Sequence, residues 1–278
     1  RSQEFIERAK QRSEDDRTIE VQTAALFGAA CIAVSEPVGA SMVLRLAHHL
    51  LQYGHPKLRR AVPVMLFLIG VTAPSLQISE LLYKLAFEED AELALRAVLA
   101  LGLVFCGTNH ARVAELLRNV AAYYASEASF VFTAKLALGF VFAGKGVVGL
   151  SPFSGERFLH SRTAFAGLAV AACLLMHVED LLLKGKHYLL FYLALAFSPK
   201  MLFCLDEELE ELRVSVRVGQ ALDTVAQVGK PRTITGFQTF TAPVVINHGE
   251  RAELATEEHI PVVENSTGNF LILRKNPD

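Results

Sequence analysis

Apolar residues along this chain gather in runs that return at an even interval. Leu99-Ala100-Leu101-Gly102-Leu103-Val104-Phe105-Cys106-Gly107 comes back 37 residues later as Leu136-Ala137-Leu138-Gly139-Phe140-Val141-Phe142-Ala143-Gly144. The same step taken backwards falls on residues 62–70 and then 25–33. Between these runs lie stretches 43–53, 78–87 and 112–124, whose apolar residues recur at helical spacing. In the last of them Val113, Leu116, Leu117, Val120 and Tyr124 share one face, and Arg112, Glu115, Arg118 and Asn119 take the other. Each unit therefore predicts one nearly all-apolar helix followed by one amphipathic helix. That is the pattern of a two-layer α-solenoid, with a shielded inner layer and a wetted outer one. A weaker copy, 163–169, is out of register.

The glycines fall into two repeat positions. Gly28, Gly102 and Gly139 share one of them with Met65. A glycine inside a helix costs about 1 kcal/mol against alanine, so its recurrence predicts close approach of neighbouring helix backbones. Gly70, Gly107 and Gly144 share the other position with Ala33. Helices are expected to end there, with glycine in the left-handed conformation beyond the last turn. Thr108 or Asn109 is expected to cap the next helix, and Ser35 and Ser75 the corresponding ones.

The texture changes after Pro199. Residues 206–211 form an acidic run, read as a solvated connector. Val214–Val218 then alternates with period two, 232–240 is rich in Thr, Ile and Phe, 243–247 adds Val-Val-Ile, and 268–274 reads as a last strand. Gly219, Gly229-Lys230-Pro231, Gly236, His248-Gly249 and Gly268 punctuate them. The fold class expected is mainly α with a β tail. Residues 1–20 read as a charged lead-in, 21–205 as helical repeats and 206–278 as a small antiparallel β domain.

Composition narrows the function classes. Over 278 residues, hydrophobic types make up 52%, too many for a disordered chain. The formal net charge of −2 argues against binding nucleic acid mainly by charge. No apolar run crosses a bilayer cleanly: 164–178 and 188–197 are short, and 130–150 carries Lys135 and Lys145. A span needs roughly 20 apolar residues, and a central charge costs about 2.5–3.5 kcal/mol. Helices buried inside an array need no charge in lipid, so no membrane partner is expected. Cys31, Cys106, Cys173 and Cys204 are widely spaced and read as reduced, buried thiols of an intracellular protein. The chain opens at Arg1, as expected of a piece of a longer protein, and no leader peptide is evident.

Chemistry-bearing motifs are weak. Gly144-Lys145-Gly146-Val147-Val148-Gly149 satisfies GxGxxG, but a dinucleotide site needs that loop between a strand and a helix. Here it follows a predicted helix and runs into Ser151-Pro152, so a helix-terminating turn is expected. His48 and His49 are adjacent and point apart. His177, Glu179 and Asp180 lack a second ligand group at metal spacing. Glu250, Glu253, Glu257, Glu258 and His259 read as solvated side chains rather than an acid/base cluster. Asn265-Ser266-Thr267 fits a glycosylation acceptor of use only to a secreted chain. No catalytic, cofactor-binding or metal-binding residue is assigned, and no cofactor.

Two sets of residues carry a resemblance. The Ala/Gly/Leu runs resemble proteasome/cyclosome repeats. The stretches 215–221, 229–239, 248–258 and 273–277, with Leu58-Arg59-Arg60-Ala61-Val62-Pro63, resemble the C-terminal part of the smaller of the two large non-ATPase subunits in the base of the 26S proteasome regulatory particle. The resemblance covers roughly residues 21–278. It implies a non-catalytic scaffold and receptor whose repeats close into a helical toroid mounted on the ATPase ring. Implied partners are ATPase-ring and other regulatory-particle subunits, ubiquitin, and the ubiquitin-like domains of shuttle factors and a deubiquitinase, in cytoplasm and nucleus. No receptor residue maps onto a position here. The repeats alone fit the larger paralogue or a cyclosome subunit equally, and the apolar runs leave an integral membrane helical bundle as the alternative of another class.

Overall fold

The computed structural model describes residues 16–34, 36–154, 159–223, 232–247, 250–262 and 270–277. The first 15 residues of the lead-in, Ser35, the 229–231 turn, His248-Gly249, Gly268-Asn269 and the 265–267 acceptor lie outside them.

Helices α1 (Asp16–Ala33), α2 (Pro37–Tyr53), α3 (Pro56–Arg59), α4 (Val62–Thr72), α5 (Leu76–Leu85), α6 (Ala91–Val104), α7 (Ala111–Tyr123) and α8 (Ala128–Val141) follow in order. The inner helices stack in sequence, α1 on α4, α4 on α6 and α6 on α8, while α2, α5 and α7 lie against them. Sequence explains the layering. Every residue of α4 is buried, as expected of a helix apolar all round. In α7 only Val113, Ala114, Leu117 and Val120 are buried; of the apolar stripe read from the sequence, Leu116 and Tyr124 are half-buried. Phe67, Leu99, Leu101 and Leu117 are fully enclosed. Burying each such side chain contributes about 1.5–3 kcal/mol.

Helix boundaries differ from expectation in two places. Gly70 does not end a helix, because α4 runs on to Thr72, and a Cβ at Gly70 would stand 3.0 Å from both Val104 methyls. His110, not Thr108 or Asn109, is the N-cap of α7, its Nδ1 accepting from the Val113 amide. Asn109 instead adopts φ 51° in the turn. Ser75 does cap α5, its hydroxyl accepting from Ile78 N–H at 3.3 Å.

The even period stops after α8. The chain turns through Ala143–Gly146 into three short strands, β1 (Val148–Leu150), β2 (Phe153–Ser154) and β3 (Leu159–His160), where an outer helix would fall. The out-of-register copy then forms α9 (Arg162–Met176), which packs on α4, α6 and the 3-10 segment His187–Ala196 instead of extending the stack behind α8. A π-helical turn, Val178–Leu183, links the two. Only when counted together with the turn through Ala143–Gly146 are residues 128–146 long and apolar enough to cross a membrane by length and composition.

The second compact unit comprises 153–159 and 198–278, so it takes in strands that precede the acidic run. After β4 (Phe197–Pro199) come β5 (Met201–Leu205), β6 (Ser215–Asp223), β7 (Arg232–Thr241), β8 (Val244–Val245), β9 (Glu250–Leu254), β10 (His259–Pro261) and β11 (Phe270–Lys275). One sheet has the order β10-β11-β5-β8, the other β7-β6-β9. Pairing is antiparallel except between β11 and β5, which run parallel with Leu271 opposite Cys204. Leu202, Cys204, Val214, Val216, Val218, Ala242, Val244 and Leu273 form the core. Their alternation along β5 and β6 is what places them on one side.

Candidate functional site

The nucleotide-like loop is a turn. Gly144, Lys145 and Gly146 all take positive φ (58°, 54° and 90°), and the loop runs from α8 into β1. The loop leads from a helix into a strand and not from a strand into a helix, so it lacks the arrangement that sets helix-start amides against a pyrophosphate. His48 and His49 are both exposed on α2, with His49 against Tyr53 at 5.3 Å between ring centres. Glu250 and Glu253 lie on β9 and His259 on β10, in different sheets, so the structure does not gather them. Glu250 Oε2 accepts from the Asn247 amide. Among the described residues no three His, Cys, Asp or Glu side chains are placed to hold a metal ion together.

His177, Glu179 and Asp180 do come near other charges. With Glu92, Arg96 and Val178 they line a small cavity of about 140 Å³. Asp180 is engaged by Lys184, whose hydrogen bond holds its carboxyl below the usual range. The rest of that neighbourhood is an inter-repeat network the sequence reading missed. Arg60 donates to Asp90 at 2.6 Å and to Glu92 at 2.7 Å. Arg96 reaches the same Glu92 at 2.9 Å and donates to the Arg60 carbonyl at 3.1 Å. Burial pulls the Arg96 pKa down, opposed by Glu92, while the Asp90 hydrogen bond raises that of Arg60. Two arginines and two carboxylates thus balance, and Asp90 also caps α6.

Such links recur near one repeat length. Thr72 Oγ1 donates to Val34 O across 38 residues, Tyr124 Oη to Ala86 O across 38, and Arg96 to Arg60 O across 36. Arg112, on the polar face read from the sequence, pairs with Glu80 of the preceding outer helix at 3.3 Å, both more than half exposed. Glu115 and Arg118 are exposed beside it. An exposed pair of this kind contributes about 0–1 kcal/mol, so the outer layer is left as a wetted surface.

A second feature went unseen in sequence. Phe87, after α5, meets Tyr83, Tyr123 and Tyr124 with ring centres 5.0, 5.2 and 6.3 Å apart, and Tyr124 stacks on Phe130 at 4.0 Å. The only sequence signal was an aromatic residue at equivalent inter-helix turns, 87 and 124, one period apart. What the site offers overall is surface: packed helices, balanced charges and an aromatic corner.

Residues 97–129 match the proteasome/cyclosome repeat family, and residues 225–278 match the family described as 26S proteasome non-ATPase regulatory subunit RPN1 C-terminal. The 26S proteasome non-ATPase regulatory subunit 2 homolog A of Arabidopsis thaliana is 44% identical over 257 residues, 92% of this chain and 29% of that protein. The 26S proteasome regulatory subunit rpn1 of Schizosaccharomyces pombe is 42% identical over 258 residues, 93% and 29% respectively. RPN1 of Encephalitozoon cuniculi is 27% identical over 259 residues, 92% of this chain and 31% of that protein. The chain therefore spans under a third of the length of these relatives.

Proposed function

From a chain that is a relative of the Rpn1-type non-ATPase regulatory subunits of the 26S proteasome, similar along nine-tenths of its length, we propose a non-catalytic scaffold of the proteasome regulatory particle. The observation that carries this reading is the stack itself. Inner helices bury one another and hydrogen bonds link positions about one repeat apart, which leaves an extended outer surface suited to holding proteins rather than a closed pocket. In this reading the chain contacts the ATPase ring and neighbouring regulatory-particle subunits, and supports docking of ubiquitin and ubiquitin-like domains in ubiquitin-dependent degradation. It works in cytoplasm and nucleus, and takes no cofactor. Affinity capture of the tagged protein from cell extract is expected to recover ATPase-ring subunits in stoichiometric yield, and a fluorescent fusion to occupy both compartments. Recovery of no ATPase-ring subunit would sink the proposal.

A further inference from the structure

We propose that the aromatic corner formed by Phe87 and Tyr123 docks an arginine-bearing segment of a partner protein. The turn after α5 and the turn after α7 bring the two rings together edge to face, 5.2 Å between centres. Tyr123 is 69% exposed and Phe87 38%. Behind them Tyr124 is fixed by its hydroxyl bond to Ala86 O and by stacking on Phe130, so the exposed rings stand on a rigid base.

The rim is acidic. Glu88 and Glu89 follow Phe87, and Glu127 follows Tyr124 by one turn. All three are exposed, and none forms a salt bridge among the described residues. Glu127 is close enough to Tyr124 for its charge to help raise the phenol's pKa, after burial and Tyr123. Lys84 is the one base in these two turns. The carboxylates of the neighbouring α6 N-terminus are already taken by Arg60 and Arg96. Exposed rings flanked along the chain by three exposed carboxylates without a salt bridge fit a guanidinium, which stacks flat on an aromatic ring and donates to carboxylates at its edge. A lysine ammonium meets the charge but not the planar fit, and an acidic or apolar segment meets neither.

This inference rests on geometry and charge, and stands apart from the proteasome reading. Its test is fluorescence anisotropy of a labelled peptide of alternating glycine and arginine, with the whole chain at low ionic strength. A citrulline peptide of the same length is the uncharged control. The arginine peptide is expected to bind, with the citrulline peptide weaker by an order of magnitude or more. Tyr123→Ala should weaken arginine-peptide binding about 3- to 10-fold with an unchanged melting temperature. The combined Glu88→Gln, Glu89→Gln and Glu127→Gln variant should flatten the salt dependence while keeping the fold. Equal binding of the two peptides, no binding by the parent chain, or parent-like binding by either variant would overturn the proposal.

Discussion

At Gly102 a hydrogen stands where any side chain would collide with the next repeat. A Cβ there would lie 2.5 Å from Ala137 Cα and 2.8 Å from its carbonyl oxygen. Backbone cannot move aside cheaply, so Gly102→Leu should cost about 1–3 kcal/mol or more and lower the melting temperature measured by circular dichroism. Sequence treats Gly139 as its equivalent, one period on, and predicts the same penalty. The structure corrects this: among the described residues nothing lies within 4 Å of a Cβ at Gly139 and no helix stacks behind α8. Gly139→Ala should therefore stabilise by about 0.5–1 kcal/mol through helix propensity, read from the same melting curves. At Gly107, φ is +64° and a Cβ would collide with Val148 O, so that turn admits glycine alone. Burial raises the Cys31 thiol to about 11. Its neutral form persists well above pH 9, so alkylation by iodoacetamide at pH 8 should reach exposed Cys173 first, as peptide mass mapping would show. Because the folded chain holds this proton more tightly than the unfolded one, that contribution to stability is complete below about pH 9 and declines as pH rises towards 11.

The elements owe their ends to side chains and their positions to neighbours. Ser75→Ala removes the hydroxyl that accepts from Ile78 N–H, and should cost about 0.5–2 kcal/mol in chemical denaturation. Glu92→Gln strips the carboxylate shared by Arg60 and Arg96. Arg96 would then sit largely buried beside a neutral amide, a loss of about 1.5–3 kcal/mol for hydrogen bonds to charged groups, checked by the same denaturation midpoint. The double variant Glu92→Gln with Arg96→Met should lose less than Glu92→Gln alone, since the stranded charge goes too. In the strand unit, β6 and β7 were legible from alternation and β-branched residues. β5, β9 and β10 were not: Met201–Leu205 is an unbroken apolar run like the helices before it, and Glu250–Leu254 carries two acids and a base.

Across the whole molecule, stacking couples each helix to the next. Hydrogen exchange should show this. Gly102→Leu in α6 is expected to raise amide exchange in α4 and α8 as well as α6, since a repeat's stability includes its interfaces. Exchange confined to α6 would contradict that coupling. The sequence by itself determined the inner and outer helices, their even spacing and the acidic break before the main β hairpin. Those signals are local or strictly periodic, repeating every 3.6, 2 or 37 residues, so each stretch of chain states them without its partners. Tertiary structure alone decided where the stack stops, which strands pair in parallel, how Arg60 finds Asp90, and that Phe87 and Tyr123 meet at the surface. Each of those depends on residues 30 or more positions apart, and a contact at that range is fixed by how whole helices and sheets pack, which no window of sequence contains.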